Sequence, residues 1–230
     1  MLKKVNDKSK LENFLESIDL DHYRDAYREI KIVEMDLPKA IWALDSIYEI
    51  YWDRRELYSF EDYFAHYKDS LKPLLDSFCQ KIGMCQDCFY LGLPARIYRT
   101  WTALLTQIHG GMVAETIFGE GSIEMSTELD LKGIDMKVSF GDTTCSIQVK
   151  KETQRKEARQ STNKKKIQGK HFEITYKVMS NNVRLNPMKQ NGAYKKEFLD
   201  FKSDYYIMLE NGFVLFTEKY FCEIKDSLTS

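Results

Sequence analysis

The sequence predicts an α/β (α+β) fold, with a mixed central β-sheet flanked by helices and an N-terminal helical region. Three observations support it. Apolar residues recur at three- and four-residue steps over the first ninety positions, then at two-residue steps beyond Gly121. The strand-like segments are followed by a charged helical stretch and then more strands, the order expected of a mixed sheet. The chain has 230 residues, 43% of them hydrophobic and 13% aromatic, with only four prolines and eleven glycines. That supports a substantial core and excludes a low-complexity chain.

Taken in order, Ser9-Lys10-Leu11-Glu12 is a capping-box pattern ahead of Leu11, Phe14, Leu15 and Ile18. Leu37-Pro38 opens a second helix, carrying Ile41, Trp42, Leu44, Ile47, Tyr48 and Tyr51 at helical spacing. Ser59-Phe60-Glu61-Asp62 caps a third, with Tyr63, Phe64, Tyr67, Leu71, Leu74, Leu75 and Phe78. Aromatic stripes at helical spacing suit core packing better than base stacking. Leu91 to Arg96 reads as a turn into a long helix that breaks or kinks at Gly110-Gly111.

Strands follow at Ile123–Leu129, Gly133–Phe140 and Thr144–Lys151, with Gly141-Asp142 turning between the last two. A charged helical segment covers about 153–168, and a strand covers Phe172–Met179. Asn181-Asn182 marks a turn, and residues 193–201 read as helical. Tyr205–Leu209 and Phe213–Phe216 flank Asn211-Gly212, a strong hairpin signal. A short amphipathic tail ends the chain. By composition, residues 1–90 form the N-terminal helical region and residues 91–230 the core, in one continuous domain.

The start of the chain has no apolar run after its basic residues, so no signal peptide is expected. The longest uncharged run, Thr100 to Ala114, is short for a membrane span. A soluble cytoplasmic protein is expected. Five cysteines and no secretory signal argue against disulfides. Cys85-Gln86-Asp87-Cys88 lacks a second pair to complete a zinc site, so ordinary thiols are expected there.

The net charge of −1 conceals an asymmetry. Residues 1–80 hold 12 Lys/Arg against 17 Asp/Glu, whereas residues 150–202 hold 15 against 5, a net of +10. A basic segment of that size is what a phosphate backbone requires.

That segment begins where two adjacent strands carry the chemistry. Residues two apart share a strand face, so Gln148 and Lys150 point together, while Ile147, Val149 and Lys151 take the other face. The turn at Gly141-Asp142 lets Asp135 converge with Gln148 and Lys150. Oxygens from Asp135 and Gln148, with a backbone carbonyl such as that of Val149, form a hard site suited to Mg²⁺ beside a phosphodiester. Lys150 can orient water or stabilise developing charge. Gln148 leaves the site one negative charge poorer, and Asp130, Glu128, Glu152 or Glu115 could compensate, with Asp130 best placed. On its own the pattern is short and weak.

More of the chain goes beyond a generic pattern. Glu128-Leu129-Asp130-Leu131-Lys132-Gly133-Ile134-Asp135, then Ile147-Gln148-Val149-Lys150-Lys151-Glu152-Thr153 with Arg155, Glu157, Ala158 and Arg159, closely resembles the TaqI-type restriction endonucleases. So do the block from Phe14 to Pro38, the block from Leu91 to Thr100, and Asn211-Gly212-Phe213-Val214. The similarity runs in order from near residue 14 to near residue 220. Residues 79–90, which include the Cys85/Cys88 pair, and residues 160–200 match poorly.

The resemblance implies a PD-(D/E)XK nuclease core, Mg²⁺-dependent hydrolysis of duplex DNA, recognition of the palindrome TCGA with cleavage after T, and a cognate DNA methyltransferase as functional partner. Asp130 and Asp135 match the family's acidic motif and Lys150-Lys151 its lysine pair. Strand alternation favours Lys150, with Lys151 the second choice. Arg155, Arg159, Lys164, Lys165, Arg184 and Asn163 are candidate DNA contacts, with Asn181 and Asn182 weaker. A palindrome is naturally read by a two-fold homodimer. A DNA-binding protein with a vestigial site, motivated by Gln148, and a repair or structure-specific nuclease are the competing readings.

Overall fold

A computed structural model describes residues 2–28, 30, 37–152, 169–199, 201 and 203–229, with the backbone alone for residues 2–6. Along the chain run α1 (Leu2–Ser17), α2 (Leu20–Tyr27), a 3₁₀ turn (Lys39–Ile41), α3 (Leu44–Ile47), a π-helical turn (Tyr48–Asp53), α4 (Phe60–Lys81) and α5 (Gln86–Phe118). Then come β1 (Ile123–Glu124), α6 (Thr127–Asp130), β2 (Met136–Phe140), β3 (Thr143–Glu152) and β4 (Lys170–Lys177). The remainder is α7 (Asn181–Leu185), α8 (Lys196–Leu199), β5 (Tyr206–Met208), β6 (Val214–Phe216) and α9 (Lys219–Thr229). The mixed α/β character is as the sequence predicts. Two compact units result, Ser17–Leu105 and Met1–Glu16 with Thr106–Ser230.

The Ser17–Leu105 unit is helical around an aromatic core. Tyr51, Phe60, Tyr63, Tyr67 and Trp101 are fully buried, and the polar tips of the three tyrosines and the tryptophan find partners. Trp101 Nε1 donates to Tyr51 Oη (2.8 Å), which donates to the Tyr58 carbonyl (2.7 Å), while Tyr67 Oη donates to the Ile41 carbonyl (2.6 Å). The aromatic stripes are core. Ser59 caps α4 as its sequence predicts, accepting from Asp62 N at 3.1 Å.

The helix expected from Pro38 is instead broken into the 3₁₀ turn, α3 and the π turn. Trp42 is extended (φ −69°, ψ 146°), and its indole donates back to the Leu37 carbonyl, which resets the chain. The π turn lets Tyr48, Ile50, Tyr51 and Trp52 all bury, a set that regular helical spacing would split between two faces.

Two further helix expectations are corrected. Ser9 lies inside α1 and does not cap it; ion pairs of Lys8 with Glu12 (3.9 Å) and of Lys10 with Asp7 (3.8 Å) support the earlier turns. In α5 neither the turn at 91–96 nor the break at Gly110-Gly111 occurs, and Pro94 sits within the helix. Buried Phe89, Leu93, Ile97 and Trp101 offset the cost of roughly 3 kcal/mol for an interior proline.

In the second unit the sheet order is β1-β2-β3-β4, antiparallel except for the parallel pair β3·β4. The predicted turn at Gly141-Asp142, the strands β3 and β4 and the β5·β6 hairpin over Asn211-Gly212 all form. The strand expected at Ile123–Leu129 stops at Glu124. Ser126 turns the chain and accepts from Leu129 N (3.4 Å), opening α6 in its place. β2 starts at Met136 and not at Gly133, because Gly133 (φ +76°) closes the turn after α6 with its N–H on the Asp130 carbonyl (2.8 Å). Asn181-Asn182 opens α7 and is not a bare turn. The segment expected to be a charged helix, 153–168, lies outside the described residues.

The β5·β6 hairpin is anchored by polar contacts. His109 is fully buried; its Nδ1 accepts from Phe216 N (3.1 Å) and its Nε2 meets Glu12 Oε1 (3.1 Å). Asn211 Nδ2 donates to the Leu15 carbonyl at 2.7 Å. Gly110 faces Phe216 so closely that an added Cβ would lie 3.2 Å from its ring. Its role is close approach, which explains why it does not break the helix. Gly110→Leu is expected to lower stability by about 2 kcal/mol through overpacking against Phe216. Thermal unfolding of the two proteins checks it: an unchanged midpoint would refute the tight contact.

Candidate active site

The site grows from the open end of the β2·β3 ladder. Met136 pairs with Ile147, and one residue further Asp135 stands level with Gln148. Asp135 N donates to the Ile147 carbonyl (3.0 Å). Beyond that point the backbone leaves the ladder, and the Asp135 carboxylate takes over: its Oδ2 accepts the Val149 N–H at 2.6 Å. Its Oδ1 accepts from Gln107 Nε2 of α5 at 3.1 Å.

Asp135 is only 6% exposed. Burial pushes its carboxyl up to about 6; the Val149 N–H opposes the shift, nearby Asp130 adds to it, and Lys150 opposes it. Asp130, at the end of α6, is also raised by burial. Both carboxyl groups are thus held above their ordinary range, a cost that a nearby cation would relieve.

The strand faces separate as the sequence predicts. Gln148 and Lys150 share one face of β3, and Lys151 follows Val149 onto the other. Gln148 Nε2 lies 3.6 Å from where a Cβ on Gly133 would sit, so the loop after α6 closes over it. Lys150 Nζ donates to Glu173 Oε1 at 2.5 Å. Glu173 stands level with Gln148 in the parallel register of β4.

The other acids considered as compensation are engaged elsewhere or exposed. Glu115 accepts from Gly121 N (3.0 Å), Glu152 pairs with Lys177 (3.5 Å), and Glu128 is exposed. Among the candidate DNA contacts, Arg184 donates to the Glu210 carbonyl. Arg155, Arg159, Asn163, Lys164 and Lys165 lie outside the described residues.

Sequence reasoning missed Gln107 and Glu173. Gln107 is a polar residue in an otherwise apolar helix face, which is an available signal, but nothing in the sequence tells that it meets Asp135 at the entry to β2. Glu173 is an acid inside the basic segment, at a strand position where its register with Gln148 depends on the pairing of β4.

Among the described residues no three His, Cys, Asp or Glu side chains cluster closely enough to hold a metal by themselves. The available set is two carboxylates with amide and carbonyl oxygens. Gln107 Oε1 is buried with no hydrogen-bond partner among the described residues. An oxygen-only set with one or two carboxylates fits Mg²⁺, which keeps several waters and phosphate oxygens in its shell.

Comparisons with known proteins agree in direction. A sequence model described as TaqI restriction endonuclease matches residues 8–228. The chain is 35% identical over 219 residues to the type II restriction enzyme TaqI of Thermus aquaticus, covering 91% of this chain and 83% of that protein. It is 31% identical over 228 residues to the type II restriction enzyme TthHB8I of Thermus thermophilus, covering 94% and 86%. No solved structure matches the chain. No helix among the described residues is long and apolar enough to cross a membrane.

The buried Asp135 carries a stability consequence. Its carboxyl is raised, so the folded protein holds a proton that the unfolded chain releases near 3.9, and this group's contribution falls as pH rises towards about 6. Above that window the cost of burying the ionised form is complete. Asp135→Asn keeps an acceptor for the Val149 N–H, and its amide can donate to a rotated Gln107. The variant is expected to stabilise the metal-free protein at pH 7.5 by up to about 3 kcal/mol, with the gain vanishing near pH 4. Thermal unfolding in chelator at both pH values tests this; a variant no more stable than wild type at pH 7.5 would contradict the burial cost.

Proposed function

This chain belongs to the TaqI restriction endonuclease family, and on that premise we propose that it is a cytoplasmic, Mg²⁺-dependent type II restriction endonuclease hydrolysing duplex DNA at TCGA, after T. The observation that supports the chemistry is the placement of Asp135, level with Gln148 and bonded to Val149 N, beside the strand face that also carries Lys150.

Asp135, Gln148, Asp130 and the Val149 carbonyl are the residues that would hold Mg²⁺. When bound, the ion would polarise the phosphodiester and lower the pKa of a water. Asp135 is held rigidly by Val149 N and Gln107, so its carboxylate is oriented before substrate arrives. Lys150 lies on the same face and offers its ammonium to the phosphoryl oxygen where negative charge develops. Lys151, on the opposite face, is the second choice for that role.

Substrate DNA is held by the basic stretch after β3, with Arg155, Arg159, Asn163, Lys164, Lys165 and Arg184 as the proposed contacts. Reading a palindrome calls for two copies of the chain, so a homodimer on DNA is proposed. Hydrolysis at a short sequence would also cut the host's own DNA, which calls for a methyltransferase protecting that sequence. Gln148 favours one other reading, a sequence-specific DNA-binding protein with a vestigial site.

Incubating the chain with Mg²⁺ and plasmid DNA, then sequencing the ends, is expected to give breaks at one short palindrome. Scattered ends would point to a structure-specific nuclease, and specific gel shifts without cleavage under Mg²⁺ or Mn²⁺ would support the vestigial reading. Asp135→Ala and Lys150→Ala are each expected to abolish cutting, while Lys150→Ala keeps specific binding. Full cleavage by both variants would reject the assigned site.

A further inference from the structure

Position 148 is the one place in the site where an amide stands on the strand beside the acids and a carboxylate would be expected for a cation. The parallel register of β4 puts Glu173 level with Gln148, and parallel partners point to the same face of a sheet. Asp135, just before β2, Gln148 on β3 and Glu173 on β4 therefore follow one another in one row. Glu173 is also the residue that receives Lys150, with Nζ on Oε1 at 2.5 Å. Both side chains are close to half exposed, 44% for Lys150 and 48% for Glu173, so the pair faces solvent where a substrate would approach. An exposed pair of this kind contributes little to stability, and its effect lies in where it keeps the lysine.

We infer that Glu173 is a positioning residue of this site: its carboxylate anchors Lys150 on the substrate face. The inference rests on the nuclease reading above. An unanchored lysine on a flexible four-carbon stem samples many rotamers, and ordering it at each turnover costs entropy. With Glu173 present that order exists before DNA binds. The carboxylate also repels the incoming phosphate backbone, so it should oppose DNA binding while favouring cleavage. A residue that only supports the fold would not separate the two effects.

The test uses the full chain and its cleaved duplex. Glu173→Gln and the double variant Gln148→Glu/Glu173→Gln are compared with wild type in single-turnover cleavage with Mg²⁺, duplex affinity in chelator, and thermal unfolding. Glu173→Gln is expected to cut about 10–100-fold more slowly, the range typical for residues that orient a catalytic group, with equal or tighter duplex binding and an unchanged melting midpoint. The double variant returns a carboxylate to the same row beside Lys150 and is expected to recover at least about threefold of that loss, a partial restoration by effective repositioning. Glu173→Gln cutting at the wild-type rate overturns the inference, as does loss of binding and melting temperature together with cleavage, or a double variant no faster than the single one. Wild-type protein that binds but does not cut overturns the nuclease reading itself, and the inference with it.

Discussion

The bond between the Asp135 carboxylate and the Val149 N–H is the contact on which the rest of the site depends. At the end of β2 the backbone no longer supplies an acceptor for β3, and a buried N–H left without one would cost about 1–3 kcal/mol. The side chain fills that gap at 2.6 Å. A single carboxylate thus completes the sheet and stands in the candidate site. It is fixed in orientation because the ladder requires it, and α5 braces it from Gln107. Its raised pKa is the cost of doing both in a place almost closed to water.

The chemistry-bearing face of this site was legible because strand alternation is rigid. Once β3 is a strand, Gln148 and Lys150 must share a face, and the tight turn at Gly141-Asp142 must bring β2 back beside it. The order of helices and strands was equally readable. Where reading failed, tertiary packing overrode local pattern. Gly110 resembles a helix breaker until Phe216 is seen against it. The apolar alternation from Ile123 to Leu129 persists as burial, yet Ser126 turns the backbone from strand to helix in its middle. Gln107 and Glu173 could not be found from sequence alone, because each acquires its role from a partner on another element.

The family comparison and the geometry contribute different things. Similarity over residues 8–228 establishes the family. It does not explain how a site with an amide at position 148 attracts a cation. What the structure adds is burial: Asp130 and Asp135 are both pushed up, and a cation near either carboxylate would relieve that cost. Part of this protein's stability is thereby given up where the two acids are buried.

The parallel pairing of β3 with β4 also bears on how the chain folds. Antiparallel β2 and β3 are joined by a two-residue turn and can zip locally, whereas parallel neighbours need a long crossover. Closing that loop costs entropy before any strand contact repays it, which makes such pairings slow. The ladder from Asp135 to Val149 can therefore form early, with β4 and Glu173 joining afterwards. During synthesis, Asp135 and Lys150 emerge before the residues that complete their surroundings. Lys150 gains its ion-pair partner Glu173 only when β4 pairs with β3.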